Sequence, residues 1–100
     1  MELPQVVLVT VVAEAILEHR LVRDLREVGA HGWTITDARG RGSRGVRADE
    51  FEGDNVRLET LVTQEMADRF LAVLARDYFP LYAVVAWTTP AAVVRPDKYA

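Results

Sequence analysis

Arg39-Gly40-Arg41-Gly42-Ser43-Arg44-Gly45-Val46-Arg47-Ala48-Asp49-Glu50-Phe51-Glu52-Gly53-Asp54 interrupts an otherwise periodic chain. Its first half sets three glycines among four arginines, and its second half holds four acids. Apolar residues recur in it neither at every second position nor at every third or fourth, so neither a strand nor a helix is predicted. A connection of 16 residues is long for a compact domain, where about 4–6 is usual, and loops of that length are commonly functional. The fold follows from what lies on either side.

Before the loop, Val6-Val7-Leu8-Val9-Thr10-Val11-Val12 is β-branched and continuous, the pattern of a strand buried on both faces. From Glu14 to Val28 the period changes. Leu17, Leu21, Leu25 and Val28 recur at three or four residues, which predicts an amphipathic helix, and Gly29 stands where a helix C-terminal glycine belongs. A second strand is predicted over Gly32 to Ala38, where Trp33 and Ile35 alternate with Thr34 and Thr36. After the loop, a third strand is predicted from Asn55 to Val62. Thr63 then suits an N-cap with Glu65 in the first turn. Met66, Phe70, Leu74 and Ala67, Leu71, Tyr78 form the apolar face of a second helix, which Pro80 stops. A fourth strand is predicted over Tyr82 to Thr88, with Pro90 and Pro96 marking an irregular tail.

The order β-α-β, loop, β-α-β is the ferredoxin-like split arrangement: an α+β fold with a four-stranded antiparallel sheet and two helices on one face. Residues 1–90 form one domain and 91–100 the tail. Two helices leave the second face of the sheet bare. The first and fourth strands are apolar on both faces, and a patch of that size is a liability in a monomer, so a homo-oligomer is expected.

Composition narrows the classes of function. One hundred residues make one domain, which buries roughly two-thirds of its unfolded surface. The absence of cysteine excludes disulfides, thiolate metal sites and a cysteine nucleophile, and fits a cytosolic protein. A net charge of −3 argues against nucleic-acid binding as the main activity. No apolar run reaches the roughly 18 residues of a membrane span, and Met1-Glu2-Leu3-Pro4 lacks the basic start of a signal peptide.

Eleven of the twelve cations are arginine, whose planar fork matches phosphate and carboxylate. Gly40-Arg41-Gly42-Ser43-Arg44-x-x-Arg47 joins that fork to glycine N–H groups that can approach an anion closely. Composition alone leaves two readings level: a site for a phosphate-bearing ligand, or a solvated basic loop paired with Asp49, Glu50, Glu52 and Asp54. The string is neither a Walker A loop nor a Rossmann fingerprint, since no GK[ST] occurs and no helix follows. Other candidates are thin. His19 and His31 without cysteine make a poor metal case, so no metal is expected. Glu14 and Glu18, four apart on the predicted helix, read as a solvated face. Ser43 has no base within the motif, which argues against a Ser-His-Asp arrangement. Trp33 and Trp87 read as core, and Tyr78, Phe79 and Tyr82 as packing between the second helix and fourth strand.

Three stretches flank and fill this pattern: Gly29-Ala30-His31-Gly32-Trp33-Thr34, Asn55-Val56-Arg57-Leu58-Glu59, and Tyr78-Phe79-x-x-Tyr82-Ala83. With the glycine-arginine string, they resemble the PII-like signalling proteins, most closely the SbtB type that accompanies bicarbonate transport. The resemblance spans about Glu14 to Thr89. It implies a homotrimer of ferredoxin-like subunits, with nucleotides in the clefts between subunits at the base of a long T-loop, here residues 39–54. SbtB-type proteins bind AMP, ADP, ATP and cyclic AMP. Carried over by position, Arg44 and Arg47 would hold phosphate, and Arg41 would join them in place of a lysine. Gly40, Gly42 and Ser43 would supply backbone and hydroxyl donors, and Thr88 and Thr89 would lie near the base or ribose. Three departures stand out. The loop after Arg47 is short and acidic, the cysteine-containing C-terminal extension is absent, and Val94–Tyr99 has no counterpart.

The function this resemblance implies is a non-catalytic, cytoplasmic adenine-nucleotide sensor. Its T-loop would regulate a membrane transporter of bicarbonate, and the protein would reach the membrane only peripherally. The four loop acids suggest a switch in which phosphate displaces them from the loop arginines. Competing expectations are a carboxysome-associated sensor binding a nucleotide with bicarbonate, a small nucleotide hydrolase or ferredoxin-like monooxygenase, and a structural oligomer.

Overall fold

The computed structural model describes residues 3, 5–40 and 54–95. Four strands and two helices follow one another as β1 (Gln5–Glu14), α1 (Glu18–Val28), β2 (Thr34–Ala38), β3 (Asn55–Val62), α2 (Gln64–Asp77) and β4 (Val85–Ala92). The strands form one antiparallel sheet in the order β2-β3-β1-β4. This is the expected ferredoxin-like α+β arrangement.

Register sorts the side chains by face, because directly paired residues project to the same side. Val7, Val9, Val11 and Ala13 pair with Val62, Thr60, Leu58 and Val56 on one side. There Val9, Val11 and Leu58 are fully buried with Leu17, Leu21 and Leu25 of the first helical segment and Ala67, Phe70 and Leu74 of α2. Both helices therefore cover one face, and their apolar stripes are the ones the periodicity marks. The other face carries Leu8, Thr10, Val12 and Glu14 of β1, Arg57, Glu59 and Leu61 of β3, and Val85, Trp87 and Thr89 of β4.

Local chemistry sets the ends of the helices. The Thr63 hydroxyl accepts the Met66 N–H at 3.2 Å and caps α2. Gly29 ends α1 at φ 100°, a left-handed conformation that turns the following Ala30 N–H back to the Leu25 carbonyl at 3.1 Å.

Three boundaries differ from expectation. β1 continues to Glu14 and a 3₁₀ turn, Ala15–Leu17, precedes α1, so Glu14 is a strand residue and shares no helix face with Glu18. β2 begins at Thr34 rather than Gly32. β4 begins at Val85 rather than Tyr82 and runs through Pro90 to Ala92. Tyr82 is held in a turn, its N–H bonded to the Tyr78 carbonyl at 2.9 Å and its hydroxyl accepting from Arg20 at 3.2 Å. Pro90 is tolerated because β4 is an edge strand, where a missing N–H need break no ladder.

Candidate functional site

The long loop leaves the sheet from a defined base. Ala38, Asn55 and Glu14 form one row across the ends of β2, β3 and β1. The Ala15 N–H donates to the Asp54 carbonyl at 3.1 Å, tying the turn after β1 to the returning limb of the loop. Glu14, 8% exposed, is a carboxylate largely shielded from water at this base. β4 starts beside the same end, with Val85 paired to Val12.

Of the residues expected in the site, Gly40 is exposed at the start of the loop, and a Cβ there would meet open space. Arg41, Gly42, Ser43, Arg44 and Arg47 lie outside the described residues, as do Asp49, Glu50 and Glu52. Thr88 and Thr89 are exposed in the middle of β4, opposite Val9 and Leu8. Thr88 projects to the helix side and Thr89 to the bare side. Val9 lies five residues before Glu14 on β1, roughly 17 Å along the strand. Within one chain, then, Gly40 and the two threonines are not brought together.

The structure adds two clusters that sequence spacing does not single out. On the helix side, the Tyr78 hydroxyl donates to Asp24 Oδ2 at 2.5 Å. Tyr78 has no exposed surface and Asp24 is 6% exposed. Burial and the bond to Asp24 push the Tyr78 phenol far above the ordinary tyrosine range. The Arg20 guanidinium lies 4.7 Å from the centroid of the Tyr78 ring and 5.7 Å from that of Tyr82. Its bond to the Tyr82 hydroxyl raises its own pKa further. This cluster fixes the turn that leads into β4. Phe79, expected in the same packing, is 44% exposed instead.

The second cluster crosses the bare face. The Arg57 guanidinium lies over the Trp87 ring at 5.5 Å and 3.5 Å from Glu59. Asn55, Arg57 and Glu59 alternate with Val56, Leu58 and Thr60, so the polar side of β3 was visible in its period of two; that it faces away from both helices was not. Trp33 packs partly buried against the core, whereas Trp87 stands on the opposite face. His19 and His31 are exposed. Among the described residues no group of three histidine or acidic side chains could hold a metal ion. No helix there is long and apolar enough to cross a membrane.

The model of the family described as Nitrogen regulatory protein P-II matches residues 6–98. Among solved structures, a PII-like signalling protein of Thermus thermophilus is 52% identical, with all of both chains covered and a TM-score of 0.84. CPII of Thiomonas intermedia, bound to ADP, AMP and acetate, is 20% identical at a TM-score of 0.85, covering 99% of this chain and 98% of that one. The same protein bound to ADP and bicarbonate is also 20% identical and scores 0.84 at the same coverage. At that identity CPII bears on the fold. The family match over nearly the whole chain, the 52% identity and the TM-score of 0.84 agree: the chain belongs to the P-II family, among its PII-like signalling proteins.

Proposed function

We propose that this protein is a non-catalytic adenine-nucleotide sensor of the SbtB type, assembled as a homotrimer in the cytoplasm. In this reading AMP, ADP, ATP or cyclic AMP binds in the cleft between subunits. Arg41, Arg44 and Arg47 neutralise the phosphate, and Gly40, Gly42 and Ser43 supply N–H and hydroxyl donors. Nucleotide favours one state of the loop, and that state changes affinity for a membrane transporter, with bicarbonate transport the leading case. The observation that carries the reading is the Gly40-Arg41-Gly42-Ser43-Arg44-x-x-Arg47 string on the loop between β2 and β3 of a P-II fold. Trimers are typical of that family, and its members are generally non-catalytic signalling proteins. Thr88 and Thr89 serve this site only from a neighbouring copy, since in their own chain they lie far from the loop base.

Calorimetric titration with the four nucleotides tests the reading. Micromolar binding by at least one of them is expected, with loss of binding in Arg44→Ala. No binding by any of the four leaves a structural oligomer as the account. Nucleotide turnover abolished by Arg44→Ala would instead establish a small hydrolase.

A second reading has its own observation. CPII is known bound to ADP with bicarbonate and to ADP, AMP and bicarbonate. A carboxysome-associated sensor that binds a nucleotide and bicarbonate together would show a nucleotide affinity that changes with bicarbonate, and the same titrations repeated in bicarbonate decide it.

A further inference from the structure

The turn between α2 and β4 is held from outside itself. The Tyr78 hydroxyl donates to Asp24, and Arg20 lies over the Tyr78 ring at 4.7 Å while donating to the Tyr82 hydroxyl at 3.2 Å. Both holding side chains belong to α1. Within the turn, the Leu81 and Tyr82 N–H groups both donate to the Tyr78 carbonyl at 2.9 Å. What these contacts fix in place is Phe79-Pro80-Leu81, all three exposed, Leu81 at 64%.

The same turn stands at the end of the sheet from which the loop leaves. β4 starts at Val85 opposite Val12, two residues short of Glu14 in the row at the loop base. Ile16, 84% exposed, lies between the two. Its neighbour Ala15 is bonded to Asp54 on the returning limb, and Arg20, one helical turn further on, reaches Tyr82. β3 and β4 flank β1, so the limb and the turn feed strands roughly 10 Å apart, a span that a nucleoside diphosphate bridges. Ordering exposed apolar side chains brings no gain from water removal until something covers them. Gly40-Arg41-Gly42-Ser43-Arg44-x-x-Arg47 offers donors for phosphate but no plane for a base. Thr88 and Thr89 lie too far along β4 to supply one. Among the described residues at this end, Phe79 is the one exposed aromatic ring.

We propose that Phe79, flanked by Ile16 and Leu81, is the wall against which the base of the nucleotide packs, and that Arg20 and Asp24 are positioning residues that hold it there. This seat presupposes the nucleotide reading and takes the end of the ligand that the loop arginines do not hold. A base stacked on an aromatic ring gains apolar contact and a favourable ring geometry. None of the three apolar residues lies in a strand, so the seat is separate from the sheet face that is buried between copies. One chain supplies both the wall and the phosphate donors, and the neighbouring copy closes the cleft.

Calorimetric titration of the assembled protein with ADP and with UDP, on the parent and on variants, tests the seat. The parent is expected to favour ADP, whose purine offers the larger face. Phe79→Ala should weaken ADP about tenfold, the loss expected for one base–aromatic stack, and narrow the preference over UDP. Trimer mass and thermal midpoint should hold, because the ring is exposed. Arg20→Ala should narrow the same preference severalfold, and Arg20→Lys should recover part of it by keeping a cation over the rings. A lowered thermal midpoint with an unchanged ADP-to-UDP ratio in Arg20→Ala overturns the positioning role. Equal affinity for ADP and UDP in the parent overturns the seat, as does an unchanged ratio in Phe79→Ala. A folded Phe79→Ala that no longer assembles overturns it too, by making the turn a subunit contact. If Phe79→Ala does not fold, Phe79→Leu removes the ring and is read the same way. A parent that binds no adenine nucleotide removes the nucleotide reading and the seat with it, whereas ADP binding that Phe79→Ala leaves unchanged removes the seat alone.

Discussion

Asp24 has 6% of its surface exposed; its Oδ1 takes long bonds from Arg23 at 3.3 and 3.4 Å, and its Oδ2 is satisfied by the buried Tyr78 hydroxyl. Removing that donor leaves a buried acceptor unpaired, so Tyr78→Phe should lower unfolding free energy by about 1–3 kcal/mol, measured by urea denaturation at neutral pH. The sign of the pH effect follows from the raised Tyr78 pKa. The phenol holds its proton more tightly folded than in the unfolded chain, where it titrates near 10.0. Its contribution is therefore whole below pH 10 and is lost as pH climbs toward the folded value. Denaturation midpoints should fall more steeply above pH 10 in the parent than in Tyr78→Phe; parallel curves would contradict the assignment. Gly29 is the other residue with a requirement of its own. At φ 100° an added Cβ is strained, and it would also meet Met66 Cε at 3.3 Å. Gly29→Ala should cost about 1 kcal/mol or more, visible as a lower thermal midpoint.

Among the elements, α2 offers the simplest check. The Thr63 hydroxyl caps its first turn, and Thr63→Ala should cost about 1 kcal/mol, with Thr63→Ser restoring most of it in the same denaturation assay. That cap was legible in the sequence, as were both helical stripes, the bounds of β3 and the end of β2 at Ala38, because each rests on local periodicity or local hydrogen bonding. β4 was not. Its start is set by Tyr82, held in the preceding turn by Arg20 from 62 residues away, and its end passes Pro90 only because the strand lies at the sheet edge. Sequence spacing carries neither fact. The same limit applied to the site. By composition Gly40 and the arginines left an anion-binding loop level with a solvated basic one, and Arg41, Arg44 and Arg47 lie outside the described residues, whereas Thr88 and Thr89 project to opposite faces well away from Gly40. Arg57 and Trp87 meet across β1 because β3 and β4 both pair with it, a consequence of topology that no single segment reveals.

For the whole molecule the decisive feature is the sheet face that no helix covers. Val85 is 54% exposed and Trp87 40%, beside Leu8, Val12 and Leu61. A face of this kind is expected to be buried between copies. Light scattering should give the mass of a trimer of 11.2 kDa chains, and Val85→Asp should shift it toward smaller species while helical circular dichroism is retained. A monomeric parent would remove the inter-subunit cleft from the account. The acids of the loop bear on the same scale. If they compete with phosphate for the loop arginines, replacing Asp49, Glu50, Glu52 and Asp54 by Ser or Gln should tighten nucleotide binding, and unchanged or weaker affinity would remove the switch.

Native mass spectrometry of the protein with ADP tests the central claim most directly, since it reads assembly and occupancy together. A trimer that takes up one nucleotide per chain is expected, with Arg44→Ala remaining a trimer and taking up none. A trimer that stays empty with ADP, AMP, ATP and cyclic AMP alike, or one that binds equally well with Arg44 replaced, would contradict it.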